Sequence, residues 1–227
     1  MPNQSRSAMG IEMPPDFPLQ PYDNIRNRLV GERDKDPESW GELASAWNAI
    51  AYRFCSCAEH DETFSQSVRR AGNSPPGRER YIQERELFCF FVTGMSAIEC
   101  LCYGLFAIGS MLDKEAFPFV TIEDRKAITP ERTASRFRTT FSRENITSTL
   151  KRLTESQDYQ RWRTIRNILS HRSTPGRQFF RGGARDGEAV WGEIMIDQNT
   201  TVSRRRWLAG AVRDLLEATD SFTVAQF

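Results

Sequence analysis

Histidine is scarce in this chain, with His60 and His171 the only two in 227 residues. A nucleophilic triad needs an imidazole beside its nucleophile, so such an arrangement has almost nowhere to start. No glycine-rich phosphate loop, no His-Glu-x-x-His and no paired Cys-x-x-Cys occurs. P-loop nucleotide hydrolysis, zincin-type hydrolysis and zinc-ribbon binding therefore have no sequence basis. The N-terminal residues lack a basic stretch followed by an apolar run, so no secretory signal is expected. Net charge is also nearly absent, at +1.

That small total hides a polarity along the chain. Residues 1–124 carry 12 basic and 19 acidic side chains, a net of −7, whereas residues 125–213 carry 19 basic and 8 acidic, a net of +11. Such asymmetry hints at an anionic partner such as nucleic acid, although arginines that merely solvate a surface give the same pattern. Hydrophobic content of 39% with 11% aromatics is enough to fill a core. The five cysteines, Cys55, Cys57, Cys89, Cys100 and Cys102, lie in helical, apolar sequence. Their odd number predicts reduced thiols in a cytoplasm. Residues two apart on a helix point about 200° apart, so neither Cys-x-Cys pair chelates a metal without unwinding. Buried free cysteine is the expectation.

Six of the eleven prolines fall in residues 1–37, predicting an extended or disordered arm there. From Glu38 to about Arg70, Trp40, Leu43, Trp47, Ile50 and Phe54 recur at helical spacing, until Gly72-Asn73-Ser74-Pro75-Pro76-Gly77 ends the pattern. A second helix is expected from about Arg78 to Leu112. Its last 26 residues, from Leu87, hold a single charge, Glu99. A span of that length can cross a bilayer. Against this, a mid-span carboxylate costs about 2.5–3.5 kcal/mol there. Thr93, Ser96, Glu99, Tyr103 and Ser110 also align as a polar seam, the pattern of a bundle's central helix. Thr129-Pro130-Glu131 reads as a helix start, with Ala134, Phe137 and Phe141 inward. Ser142 and Asp158 read as the next two caps, and Pro175-Gly176 as a stop. A β-hairpin is expected from Gln178–Phe180 and Ala189–Ile196 around Gly182, Gly183 and Gly187. A last helix from about Ser203 buries Leu208, Val212, Leu215 and Leu216. The predicted architecture is mainly all-α: a helical domain over 38–227 with a small β-hairpin before the C-terminal helix.

One short segment carries chemistry: Arg166-Asn167-Ile168-Leu169-Ser170-His171. On its helix, Trp162, Ile165, Ile168 and Leu169 define the buried face. Asn167 and His171 lie about 40° apart on the other side, with Arg166 between the faces. An imidazole titrates near neutrality and can exchange a proton with a ribose hydroxyl or a leaving oxygen. A guanidinium grips a phosphate with parallel hydrogen bonds. Together they suffice for RNA transesterification with no metal and no cofactor. A helix-end histidine beside Arg and Asn is equally a capping arrangement, so the residues alone leave both readings open. Glu99 fits either a structural ion pair or a site. Arg204-Arg205-Arg206 opens a helix against its dipole, which mildly favours an anion there.

The segment resembles the hallmark of the HEPN superfamily, an Arg followed by a polar residue and, after a short gap, a His. The resemblance covers about residues 78–220, with six residues of recognisable motif, and implies a HEPN-type helical bundle. It also implies a metal-independent endoribonuclease of toxin–antitoxin or phage-defence systems, forming a homodimer with a composite site and open to a regulatory antitoxin. Arg166, His171 and Asn167 take the motif's places, and Glu99 is the one candidate for an acid from an earlier helix. Antitoxin-modified members carry a tyrosine two residues after the histidine. Ser173 stands there, so regulation by tyrosine AMPylation is not implied. A non-catalytic module of the same fold, binding nucleotide, RNA or protein, is the alternative, and a single-pass membrane protein anchored through 87–112 is the third.

Overall fold

The computed structural model describes residues 10–171 and 175–227, which are mainly helical with one small sheet. Helix α1 spans Leu19–Leu29, α2 Pro37–Ala71 and α3 Gly77–Leu112. Short α4 (Ile122–Lys126) precedes α5 (Pro130–Thr140), α6 (Asn145–Glu155) and α7 (Gln157–Ser170). Strands β1 (Arg177–Phe179), β2 (Ala189–Trp191) and β3 (Ile194–Met195) then lead to α8 (Val202–Gln226).

The centre is an antiparallel hairpin of α2 and α3. Gly72, at φ +70°, caps α2 in a conformation that suits glycine, and Pro75-Pro76 cannot continue a helix. Helix α3 is long and apolar enough to cross a membrane, and 72% of its most apolar window is buried inside the fold. Its apolarity is therefore matched by the helices around it. Helix α7 crosses α3 where Gly94 leaves room for Trp162. The indole stacks on Phe90 at 5.2 Å and donates through Nε1 to the Phe91 carbonyl at 2.9 Å. A second aromatic cluster joins the irregular Phe117–Phe119 stretch to the bundle. Phe117 meets Phe106 at 5.1 Å and Phe137 at 5.2 Å, and Phe137 meets Phe222 at 5.6 Å.

Several local expectations are corrected. Residues 10–37 are not an extended or disordered arm: Tyr22, Ile25 and Leu29 are fully buried. The Tyr22 hydroxyl donates to the Trp47 carbonyl and the Trp47 indole donates back to the Tyr22 carbonyl, both at 3.0 Å. Pro21 sits in the first turn of α1 and Pro37 at the start of α2, where backbone N–H groups have no helical partner to lose. Residues 1–9 of that arm lie outside the described residues. Ser142 does not start α6. The chain turns through 142–144, and the Thr147 hydroxyl ties α6 to the Phe141 carbonyl at 2.8 Å. Ser156, not Asp158, caps α7, because its oxygen reaches the Tyr159 N–H at 3.2 Å while Asp158 falls inside the first turn. The Ala189–Ile196 strand breaks at Gly192 (φ +59°), so the hairpin becomes a three-stranded antiparallel sheet in the order β1-β2-β3. Thr129 does cap α5, and α8 buries Leu208, Val212, Leu215 and Leu216. The five cysteines are free thiols, with Cys57 and Cys102 buried.

The α3–α7 contact has a direct test. A Cβ on Gly94 would lie 2.4 Å from Trp162 Cζ2, whereas one on Gly210 meets nothing within 4 Å. Gly94→Ala should lose about 1–3 kcal/mol in urea unfolding, while Gly210→Ala should gain up to about 1 kcal/mol from helix propensity. Equal effects at the two positions would contradict the packing described.

Candidate active site at the Glu99–Arg166 pair

Trp162, buried against α3, sets the rotation of α7. At 100° per residue, Tyr159, Arg163 and Arg166 then share one flank, and Asn167 lies about 40° beyond Arg163, further from the apolar stripe. Arg166 donates through Nη2 to Glu99 Oε1 at 2.6 Å, joining the motif helix to the polar seam of α3. Neither partner is deeply buried, the side chains being 28% and 39% exposed. The Arg166 Nε is buried with no acceptor among the described residues, so the guanidinium is held there through one nitrogen.

Asn167 is exposed, as expected. His171 ends the helix, its backbone N–H donating to the Ile168 carbonyl at 3.3 Å, and its side chain is exposed. Among the described residues the imidazole makes no hydrogen bond to the helix's last carbonyls. The motif is thus divided, with Arg166 turned inward to Glu99 and Asn167 and His171 turned to solvent. Ser173 lies outside the described residues.

Glu99 and Arg166 open onto a cavity of about 600 Å³, framed by α2, α3, the start of α5 and α7. Two further polar groups line it. Glu131 Oε1 accepts from the Tyr159 hydroxyl at 3.0 Å and from Arg163 Nη1 at 2.5 Å. Glu42 accepts from the Tyr103 hydroxyl at 2.9 Å and from Arg125 at 2.8 Å. Burial holds the Glu99 carboxyl above the usual range; Arg166 opposes this and the Glu131 charge adds to it. Burial, with the hydrogen bond to Glu42, pushes the Tyr103 phenol up to about 12, and burial with Glu131 raises Tyr159 as well. Both phenols are therefore proton donors across the ordinary pH range.

Glu131, Arg163 and Tyr159 were not singled out from the sequence. The signal was present as Tyr159, Arg163 and Arg166, a helical stripe beside the apolar one, with Glu131 read only as a first-turn acid. The arginine triplet divides differently. Arg204 donates to the Thr200 carbonyl and lies over the Phe91 ring at 5.6 Å. Arg205 bridges Asp16 at 2.9 Å and Asp61 at 3.1 Å, and Arg206 is exposed. The second histidine, His60, pairs through Nδ1 with the buried Glu86 at 2.6 Å, away from this cavity's lining. No family model, no curated protein and no solved structure matches the chain.

The Glu99 environment predicts a pH signature. Folding raises this carboxyl above its ordinary value of 4.5, so the folded chain holds that proton more tightly than the unfolded chain. Its contribution to stability is then largest at low pH and declines as pH rises through the window above 4.5. Glu99→Gln, which cannot titrate, should lie within about 1 kcal/mol of wild type at neutral pH, as for a half-exposed pair. Wild type should gain on it as pH falls toward 4.5. Urea unfolding at several pH values checks both; a neutral-pH loss of about 3 kcal/mol or more would instead mark a fully buried pair.

Proposed function

We propose that this chain is a metal-independent endoribonuclease of the HEPN type, acting on RNA through Arg166 and His171. The observation that carries the reading is the pairing of the motif's arginine with Glu99 where the cavity opens. The guanidinium is anchored by an acid from the central helix at the mouth of an open cavity, and the motif's imidazole is left exposed at the end of the same helix. Arg166 has further N–H groups to offer a phosphate, Glu99 orients it, and Asn167 adds a polar contact beside it.

In the reaction, His171 takes the proton of a ribose 2′-OH, and that oxygen attacks the adjacent phosphorus. The bond from phosphorus to the 5′-oxygen breaks, and a proton passes to the leaving oxygen. The products are a 2′,3′-cyclic phosphate and a 5′-hydroxyl. Arg166 stabilises the charge that grows on the phosphate oxygens. One imidazole serves poorly as both base and acid, so the site is completed by a second copy about a twofold axis. The resemblance supports a cytoplasmic setting in a toxin–antitoxin or phage-defence system, with a regulatory protein as a further partner. A non-catalytic module binding nucleotide, RNA or protein is the second reading, favoured by the separation of Arg166 from His171 within one chain.

Purified protein should cut single-stranded RNA in EDTA and leave 2′,3′-cyclic phosphate ends. His171→Ala and Arg166→Ala should each slow this at least about a hundredfold. Unchanged cleavage by His171→Ala would indicate a contaminant, and no cleavage by wild type would favour the non-catalytic module. Light scattering should find about 52 kDa, twice the 26.1 kDa chain. Mixing the two variants should restore part of the activity. A fully active monomer would overturn the composite site.

A further inference from the structure

Transesterification makes no use of Glu131, Arg163 and Tyr159, yet they form a fixed polar group on the wall of the same cavity. Glu131 sits in the first turn of α5, directly after Pro130, so its position is set by a helix start. Its Oε1 collects both donors, Tyr159 and Arg163, and its Oε2 has no donor among the described residues. The two partners of the ion pair are about equally open, 40% exposed for Arg163 and 41% for Glu131. Side by side they offer a ligand a carboxylate acceptor and the remaining N–H donors of a guanidinium.

That pairing distinguishes among the RNA bases. Guanine presents the amino group and the imino N–H as two adjacent donors, followed directly by O6 and N7 as two acceptors. Adenine and cytosine set a ring-nitrogen acceptor beside their amino group, and its lone pair would face the carboxylate. Uracil places a single imino N–H between two carbonyls, with the same repulsion. Resting on the reading of this site as one for RNA, we propose that the cavity holds a guanine beside the scissile phosphate. Glu131 accepts from its imino and amino groups through Oε2, the oxygen that Tyr159 and Arg163 leave free, and Arg163 donates to O6 and N7.

The surroundings fit this ligand. Met95, Ile128 and Pro130 supply apolar wall for the faces of the ring, and about 600 Å³ lies within the range of small-molecule sites. Arg163 and Arg166 are neighbours on one flank of α7, three residues and about 4.5 Å of helix rise apart. A base at the first and a phosphate at the second are separated on the scale of a single nucleotide. Glu131 and Arg163 are thereby specificity-determining residues, and Tyr159 positions Glu131.

The test uses full-length His171→Ala protein, which cannot consume a ligand, and calorimetry with each of the four ribonucleoside monophosphates. Guanosine monophosphate should bind at least about tenfold tighter than the other three, the lower end of what a good bidentate base contact provides. Inosine monophosphate, which lacks only the amino group, should lose about tenfold of that affinity with no change to the protein. Glu131→Gln, shown folded by its melting curve, should lose at least about tenfold of the guanosine monophosphate affinity and most of the preference over inosine monophosphate. Equal binding of the four, equal binding of the guanosine and inosine compounds, or no binding at millimolar concentration would overturn the proposal. The nuclease reading fails separately. Guanine selectivity that depends on Glu131, with no RNA cleavage by wild type, leaves the cavity assignment standing and removes the activity. Cleavage through His171 with no guanine at the cut does the reverse.

Discussion

Trp162 lying over Gly94 is the contact on which the rest of the molecule depends. A Cβ on residue 94 would come within 2.4 Å of the indole, so only glycine there lets α7 seat on α3 at this depth. The indole N–H also donates to the Phe91 carbonyl at 2.9 Å, which fixes the rotation of α7 as well as its approach. A tryptophan in a hole has essentially one orientation, and every residue of its helix then has an assigned direction. Tyr159, Arg163 and Arg166 line the cavity, while Asn167 and His171 reach solvent.

The polar seam of α3 follows the same logic. A helix buried on most of its surface must find partners for each polar side chain it carries, because an unpaired one is expensive to bury. Glu99 meets Arg166, Tyr103 meets Glu42, and Thr93 turns back to the Cys89 carbonyl at 2.6 Å. Ser96, Glu99 and Tyr103 open onto the cavity. Glu99, Tyr103 and Thr93 are thus partnered within the fold, and the seam also walls a groove that joins the central helix to the motif helix. In the proposed reaction this gives the guanidinium a partner that holds it before RNA arrives, as preorganised charge stabilisation requires.

Long periodic elements were legible because many side chains vote for one face. Helices α2 and α3 appear within a residue or two of the ends read from Gly72–Gly77 and Leu112, and Thr129-Pro130 caps α5 as its residue types dictate. Helix α1 was hidden because proline density was weighed without its position. Pro18 and Pro21 fall just before and within a first turn, where no hydrogen bond is lost. Ser156 and Asp158 are both good caps two residues apart, and geometry alone decides that only Ser156 reaches the Tyr159 N–H. Gly192 looked like strand interior because the two-residue turn it begins is flanked by apolar residues on both sides. The site was half legible. Arg166 and His171 stand in one short motif, and Glu99 is isolated by its charge. The pairing of Glu99 with Arg166 across 67 positions, and of Glu131 with Arg163 across 32, comes from tertiary packing that no local spacing encodes.

Occupancy of the motif by RNA is the claim from which the rest of the functional account descends. Its most direct measurement is an NMR titration with a single-stranded oligoribonucleotide made uncleavable by a 2′-deoxy group at one guanosine. The signals followed are the Arg side-chain Nε–H groups and the two imidazoles, assigned through single substitutions. The account predicts saturable shifts of Arg166, Arg163 and His171, with His60, bound to Glu86, unmoved. Shifts confined to exposed arginines elsewhere, such as Arg206 and Arg213, with Arg166 and His171 silent at saturation, would contradict it.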